Sequence, residues 1–223
     1  MADPARLHTG ARLIPAPAED LCLDFAGTRY WRGSEQPTET LQSFADVVAW
    51  CEAVKSLDHA AAVELKSWER SHAGEAASIF AEVIATREMI YRLFSTTASG
   101  GRIARAELEM LNRLLAAAPS RANVVVMGAG KMWRVAPVRP TVASLLAPVL
   151  WSAADLLVGA RLSKVRLCAN EKCRWLFLDD SKSGTRRWCS MSSCGNRAKA
   201  HRHYMRKTRP DREAALQRRR MRT

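Results

Sequence analysis

The sequence predicts a mainly α domain with a small β-hairpin, followed by a small β-hairpin-plus-helix module closed around cysteines. Three observations predict it. Apolar residues recur at spacings of three and four through most of residues 20–158, the pattern of helices with one buried face. That period breaks at residues 122–136, where two β-branched and aromatic runs flank Gly128-Ala129-Gly130. Four of the six cysteines, Cys168, Cys173, Cys189 and Cys194, fall within 27 residues. With 223 residues and 48% hydrophobic content, the chain can close a real core and is neither a disordered tail nor a fibre.

Residues 1–19 read as an arm or edge element, with ARLIPAP too short and proline-bounded for a helix. From Asp20, Leu21, Phe25 and Thr28 stand at helical spacing, and a first helix is expected to end in the RGSEQP turn. Thr38 precedes the clearest stripe, Leu41, Phe44, Val47, Val48, Cys51 and Val54. Asp58 can cap the next helix, which turns Leu65 and Trp68 inward. Residues 76–94 carry a long stripe up to the breaker STTASGG, and residues 102–117 form a further helix ending at Pro119. The runs 122–127 and 131–136 make the hairpin. A helix from about 141 to 158 follows, with a kink expected at Pro148. Residues 1–160 are therefore expected to form one mostly helical domain carrying its own core, residues 161–210 the cysteine module, and residues 211–223 a basic flexible tail.

Charge divides at the same place. Residues 161–223 hold 19 basic and 5 acidic residues, whereas residues 1–160 hold 16 and 17. A near-neutral body thus carries a strongly basic end, which favours an anionic partner. The opening MADPARLHTGARLIPAP lacks the apolar core of a secretory signal. Residues 140–154 are too short, and too interrupted by Pro140 and Pro148, to cross a bilayer. A cytoplasmic protein without a membrane partner is the expectation. In a reducing compartment, clustered cysteines hold metal more often than disulfides.

The cluster reads C-x4-C-x15-C-x4-C. Two short pairs each span one edge of a tetrahedron, and the long loop folds back between them, which suits one structural zinc ion per chain. Buried free thiols, another metal and redox chemistry are the other readings. Four thiolates on a divalent ion leave a formal charge of −2, which Arg166, Arg174, Arg186, Arg187 and Arg197 could offset while loop amides bond the sulfurs. His201 and His203 lie beyond the usual ligand spacing. The loop segment 174–180 reads as a strand with Trp175 and Phe177 on one face, and Trp188 precedes Cys189 directly. Core packing against the metal is the plain role of these aromatics, and base stacking the other. After Cys194, a helix would place Lys199, Arg202, Arg206 and Arg209 on one broad basic face. With Arg186, Arg187 and Arg197, that face suits double-stranded DNA, contacting phosphate and reading guanine. A solvated charge run is the bland alternative.

LCLDF at 21–25, together with C168-x4-C173, WLFLDDS at 175–181 and RRWCSMSSCGNRAKAHRH at 186–203, resembles the CGNR zinc finger family, bacterial proteins with an N-terminal ABATE domain. The resemblance covers almost the whole chain and is most specific in its distal part. It implies a transcriptional regulator, with Cys168, Cys173, Cys189 and Cys194 as zinc ligands and the helix after Cys194-Gly195-Asn196-Arg197 near DNA. Gly27 stands where the family's LDFxNT pattern has Asn, so a contact made by that Asn does not carry over.

Asp24 and the cluster Arg29, Tyr30, Trp31 and Arg32 could line a pocket for a small-molecule effector, with an interface or core packing as alternatives. The sequence has no nucleophile elbow, no HExxH and no P-loop, because Gly128-Ala129-Gly130-Lys131 lies between strands. No enzyme is expected. The leading expectation is an effector-responsive DNA-binding regulator, with a homodimer as the economical route to specificity. A zinc-stabilised adaptor for an acidic partner, and an RNA-binding protein, are the competing readings.

Overall fold

The computed structural model describes residues 11–128 and 130–200. In chain order these form β1 (Arg12–Ile14), α1 (Leu21–Gly27), β2 (Arg29–Tyr30), β3 (Thr38–Glu39), α2 (Phe44–Ala53), α3 (His59–Ser71), α4 (Ala73–Ala98) and α5 (Arg105–Ala117). Then follow β4 (Asn123–Met127), β5 (Gly130–Val135), α6 (Val142–Leu145), α7 (Ala147–Val158), β6 (Val165–Leu167) and β7 (Leu176–Leu178). The result is a mostly helical fold with three small antiparallel sheets, ordered β1-β5-β4, β2-β3 and β6-β7. Among the described residues no helix is long and apolar enough to cross a membrane.

Burial on nearly every side makes α1 the centre of the helical body. Leu21, Cys22, Leu23, Phe25, Ala26 and Gly27 are all buried, and a helix apolar all round must be enclosed by others. It packs against α4, α7 and β7. Ser152 of α7 pins its start, accepting from the Cys22 amide at 3.0 Å and donating to the Glu19 carbonyl at 3.1 Å. The predicted arm is edge strand β1, which registers Ile14 opposite Trp133 and joins Val135, Ala147 and Trp151 in a smaller apolar cluster.

Several predicted elements change at their ends. The helix expected after Thr38 starts at Phe44, because Ser43 takes the cap and accepts the Asp46 amide at 3.2 Å. Thr38 and Glu39 instead pair with Tyr30 and Arg29 as β3 and β2, so the first helix stops at Gly27, short of the RGSEQP turn. Asp58 caps α3 as expected, through the Ala61 amide at 2.8 Å. Helix α4 runs into the expected breaker as far as Ala98, and Gly100 follows with a φ of 72°, the left-handed conformation that favours glycine. The expected bend near Pro148 is a full break between α6 and α7, with the proline in the first turn of α7 where its missing N–H costs nothing.

The main core does not stop at residue 160. Val165 of β6 and Leu176 and Leu178 of β7 are buried in the same apolar cluster as α1 and α4. Alternation along β7 turns Phe177, between those two leucines, to the opposite side, into a separate cluster with the cysteines. One three-residue strand thus serves two cores.

Beneath this junction lies a buried charge. Arg87 of α4 has no exposed surface, and its guanidinium donates to both Glu39 oxygens at 2.6 Å, to Thr28 Oγ1 at 3.2 Å and to Glu88 at 3.0 Å. Glu88 in turn accepts from Arg32 at 2.7 and 3.2 Å. Burial alone pushes the Glu39 and Glu88 carboxyls upward, but bonding and charge from Arg87 and Arg32 outweigh it and hold both below the ordinary glutamate range. A carboxyl lowered by folding adds stability above its unfolded value and loses it as pH falls through the folded one. Acid melts followed by circular dichroism should therefore show stability falling below about pH 4.3, the unperturbed glutamate value. Glu39→Gln should be less stable at neutral pH and respond less to acid. Arg87→Met should keep the volume yet be destabilising by about 1–3 kcal/mol, because it removes the guanidinium from the part-exposed Glu39 carboxylate while Arg32 still holds Glu88. A fragment ending at residue 160, stripped of Val165, Leu176 and Leu178, should melt lower and less cooperatively than the full chain. An equal melt would show that the body carries its core alone.

Candidate metal centre

The first cysteine pair sits on the loop between β6 and β7, and the second follows β7 through a turn at Gly184, whose φ is 60°. Asp179 fixes the connecting loop. Its carboxylate accepts from the Ser181 hydroxyl at 2.6 Å, the Ser181 amide at 3.1 Å and the Arg186 amide at 2.9 Å. The Ser181 hydroxyl does most to lower its pKa, aided by the two amides. The Ala169 amide then bonds the Arg187 carbonyl at 2.9 Å, and the Cys168 amide the Trp175 carbonyl at 2.8 Å, closing the two knuckles on each other.

This closure brings Cys168, Cys173, Cys189 and Cys194 together, with all four sulfurs within 4.8 Å of one another. Cys173 and Cys189 are 3.7 Å apart, and Cys189 and Cys194 are 3.8 Å apart. A disulfide needs about 2.05 Å, so these are separate thiols. A tetrahedron with metal–sulfur bonds of about 2.3 Å has edges of about 3.8 Å, the spacing of these two pairs, and the other sulfurs lie within 4.8 Å. The donor set therefore fits one closed, four-coordinate soft ion.

The surroundings suit thiolates. The Asn170 side chain donates to the Cys194 sulfur at 3.5 Å. Donation from Cys189, more than any other influence, lowers Cys173 to about 5. Cys189 itself is raised, by that same hydrogen bond first and then by burial. Burial likewise raises Cys168.

Trp31, Trp175, Phe177 and Trp188 wrap the sulfurs, so the aromatics of the loop are packing residues here. The ring of Trp175 reaches the end of α1, where a Cβ on Gly27 would lie 2.5 Å from it. That contact accounts for glycine at a position where the resemblance leads one to expect Asn. Cys194 sits in a wide helical turn (Met191–Gly195) that leads into helical residues 196–200. Ser190 caps the turn through the Ser193 amide at 3.4 Å, and Asn196 Nδ2 bonds the Ser192 carbonyl at 3.3 Å.

The predicted contact residues separate here. Arg186 is engaged locally, donating to the carbonyls of Trp188 and Cys189 with its guanidinium 4.5 Å from the Phe177 ring. Arg187 and Lys199 are exposed, and Arg197 lies 4.5 Å over Trp31. Arg202, Arg206 and the two histidines lie outside the described residues. The expected pocket residues lie on different elements. Asp24 is exposed on α1, Arg29 and Tyr30 form β2, and Trp31 covers the cysteines. Cavities of about 390 and 440 Å³ open elsewhere, the larger beside Glu19, Arg121, Trp133 and Asp155.

Sequence reasoning missed Arg87 with Glu39 and Glu88, and also Asn170. Arg87 carried a signal, since it stands four residues after Val83 and three before Ile90 on the apolar stripe of α4. Cys189→Ser should abolish stoichiometric metal by elemental analysis and loosen residues 165–200 in hydrogen exchange. Full metal content in that variant would remove Cys189 from the ligand set. Metal loss from the wild type should rise as pH falls, because protons compete for the sulfurs.

Two family models match the chain. Residues 19–160 match ABATE, described as "Putative stress-induced transcription regulator", and residues 164–207 match the CGNR zinc finger. No curated protein matches it. The two matches and the cysteine cluster fit a metal-stabilised protein of regulatory or adaptor type. The chain belongs to the ABATE family, with a CGNR zinc finger following the ABATE domain.

Proposed function

We propose that the chain is a zinc-containing, DNA-binding transcription regulator, with one structural zinc ion on Cys168, Cys173, Cys189 and Cys194. The observation that carries this reading is the state of the cations around the cluster. Lys172, Lys182, Arg187 and Lys199 are exposed, and among the described residues no carboxylate pairs with any of them. In the helical body Arg32 is neutralised by Glu88, Arg87 by Glu39, Arg92 by Glu107 and Arg121 by Asp155, while Arg102, Arg113, Lys131, Arg134 and Arg139 are exposed and unpaired among the described residues. A surface that leaves its cations unpaired beside a rigid metal knot suits a regular polyanion.

In this reading the ABATE domain responds to a small-molecule effector or forms a homodimer, and the basic residues after Cys194, with Arg202 and Arg206 among them, extend the DNA-facing surface. Fluorescence anisotropy with duplex DNA and single-stranded RNA, each at three or more salt concentrations, tests it. Duplex DNA should bind more tightly, with log K falling linearly in log salt. Neutralising Arg187 and Lys199 together should leave metal content and melting unchanged and shrink that slope by about 0.9 per lost phosphate contact. An unchanged slope in the folded, metal-loaded variant would favour the adaptor reading. Tighter binding to RNA would favour the third.

A further inference from the structure

The helical body meets the first cysteine knuckle through a strap made largely of backbone. The amides of Gly33 and Arg32 donate to the carbonyls of Lys172 and Cys173 at 3.2 and 3.3 Å, and the Tyr91 hydroxyl donates to the carbonyl of Arg174 at 3.0 Å. Three consecutive carbonyls of the knuckle are thus held by the body. Gly33 sits so close that a Cβ would fall onto the Glu171 carbonyl oxygen. Three non-glycine residues among those described have a left-handed backbone, and two of them, Trp31 at 56° and Arg174 at 52°, lie on these two loops. Such conformations persist only where the surrounding contacts over-determine them.

The strap is anchored from behind. Arg32 is held by both Glu88 oxygens and by the Ala26 carbonyl at 2.8 Å, and its guanidinium lies 3.9 Å over the Tyr91 ring. Next to it, Trp31 is half-buried against the cysteine cluster, while Arg197 of the CGNR motif places its guanidinium 4.5 Å from the Trp31 ring. Trp31 therefore touches the metal knot and the basic helix together. A guanidinium over an indole face is held by the ring quadrupole, strongest for tryptophan.

We propose that Trp31 is a positioning residue: it clamps the helix after Cys194 to the helical body through Arg197, so that the finger is presented to its ligand in one orientation. In this assignment Arg197 completes the clamp and is not a phosphate contact. The proposal rests on the nucleic-acid reading for its DNA measurement only.

Full-length, zinc-loaded protein provides the test, with variants Trp31→Phe, Trp31→Leu, Arg197→Gln and the double Trp31→Leu/Arg197→Gln. Zinc transfer to a chromogenic chelator and amide exchange over residues 170–175 and 196–200 report the clamp. Trp31→Leu and Arg197→Gln should each speed both several-fold, the double variant should add little to either, and Trp31→Phe, which keeps a π face, should restore most of the protection. Duplex DNA should bind more weakly to both single variants with the salt slope unchanged. Additive effects in the double variant, or a Trp31→Phe no better than Trp31→Leu, would overturn the clamp. A salt slope reduced by about 0.9 in Arg197→Gln, with Trp31→Leu silent, would return Arg197 to the phosphate interface. Should the wild type bind no DNA, the regulator reading fails, and the zinc-transfer and exchange measurements still decide the clamp.

Discussion

A guanidinium with no access to water, that of Arg87, sets the arrangement of the junction between helices and finger. A buried cation is tolerable only when carboxylates and hydroxyls saturate it, and here Glu39, Glu88 and Thr28 do so. Glu39 can reach only if residues 29–39 fold back as the β2-β3 hairpin. Glu88 uses its remaining capacity on Arg32. The hairpin loop, which carries Trp31, Arg32 and Gly33, is thereby fixed at the edge of the cysteine cluster. One desolvated charge in α4 thus determines where a loop 48 residues earlier must lie.

The finger shows the converse economy. Some forty residues cannot build an adequate core, and this module supplements its own in two ways. Four sulfurs converge on a metal-sized space, sealed by Trp31, Trp175, Phe177 and Trp188. At the same time Val165, Leu176 and Leu178 are lent to the core of the body. The alternation of a single strand lets β7 satisfy both demands, so the module is docked on the helical domain rather than tethered to it. Metal occupancy and body stability should consequently be coupled, which a bead-on-a-string arrangement would not give.

Electrostatics follows the same boundary. Within the body, acids sit close enough to quench many of the arginines, so the near-zero net charge of residues 1–160 is matched by local pairing. Around the finger, acids are scarce, and one of the few, Asp179, is used up in holding the loop to Ser181 and Arg186. Exposed cations without a carboxylate partner occur on the body as well, and the regulator reading draws on those that stand on the part of the fold whose geometry the metal fixes.

The sequence by itself determined what depends on near neighbours along the chain. Helical stripes, the Asp58 cap, the hairpin around Gly128 and the four-cysteine spacing are all set within a few residues, and each is found. Tertiary structure decided what depends on distant partners. Thr38 and Glu39 leave the helical pattern because Arg29 and Tyr30 pair with them and Arg87 claims the Glu39 carboxylate. Trp31, legible only as part of a polar-aromatic cluster, becomes a wall of the metal site because Arg32 and Gly33 bond a knuckle some 140 residues later. Gly27 was visible as a departure from LDFxNT, yet its reason, the Trp175 ring, appears only when β7 lies against α1. Periodicity reports which face of an element is buried, and it carries no information about what will be buried against it.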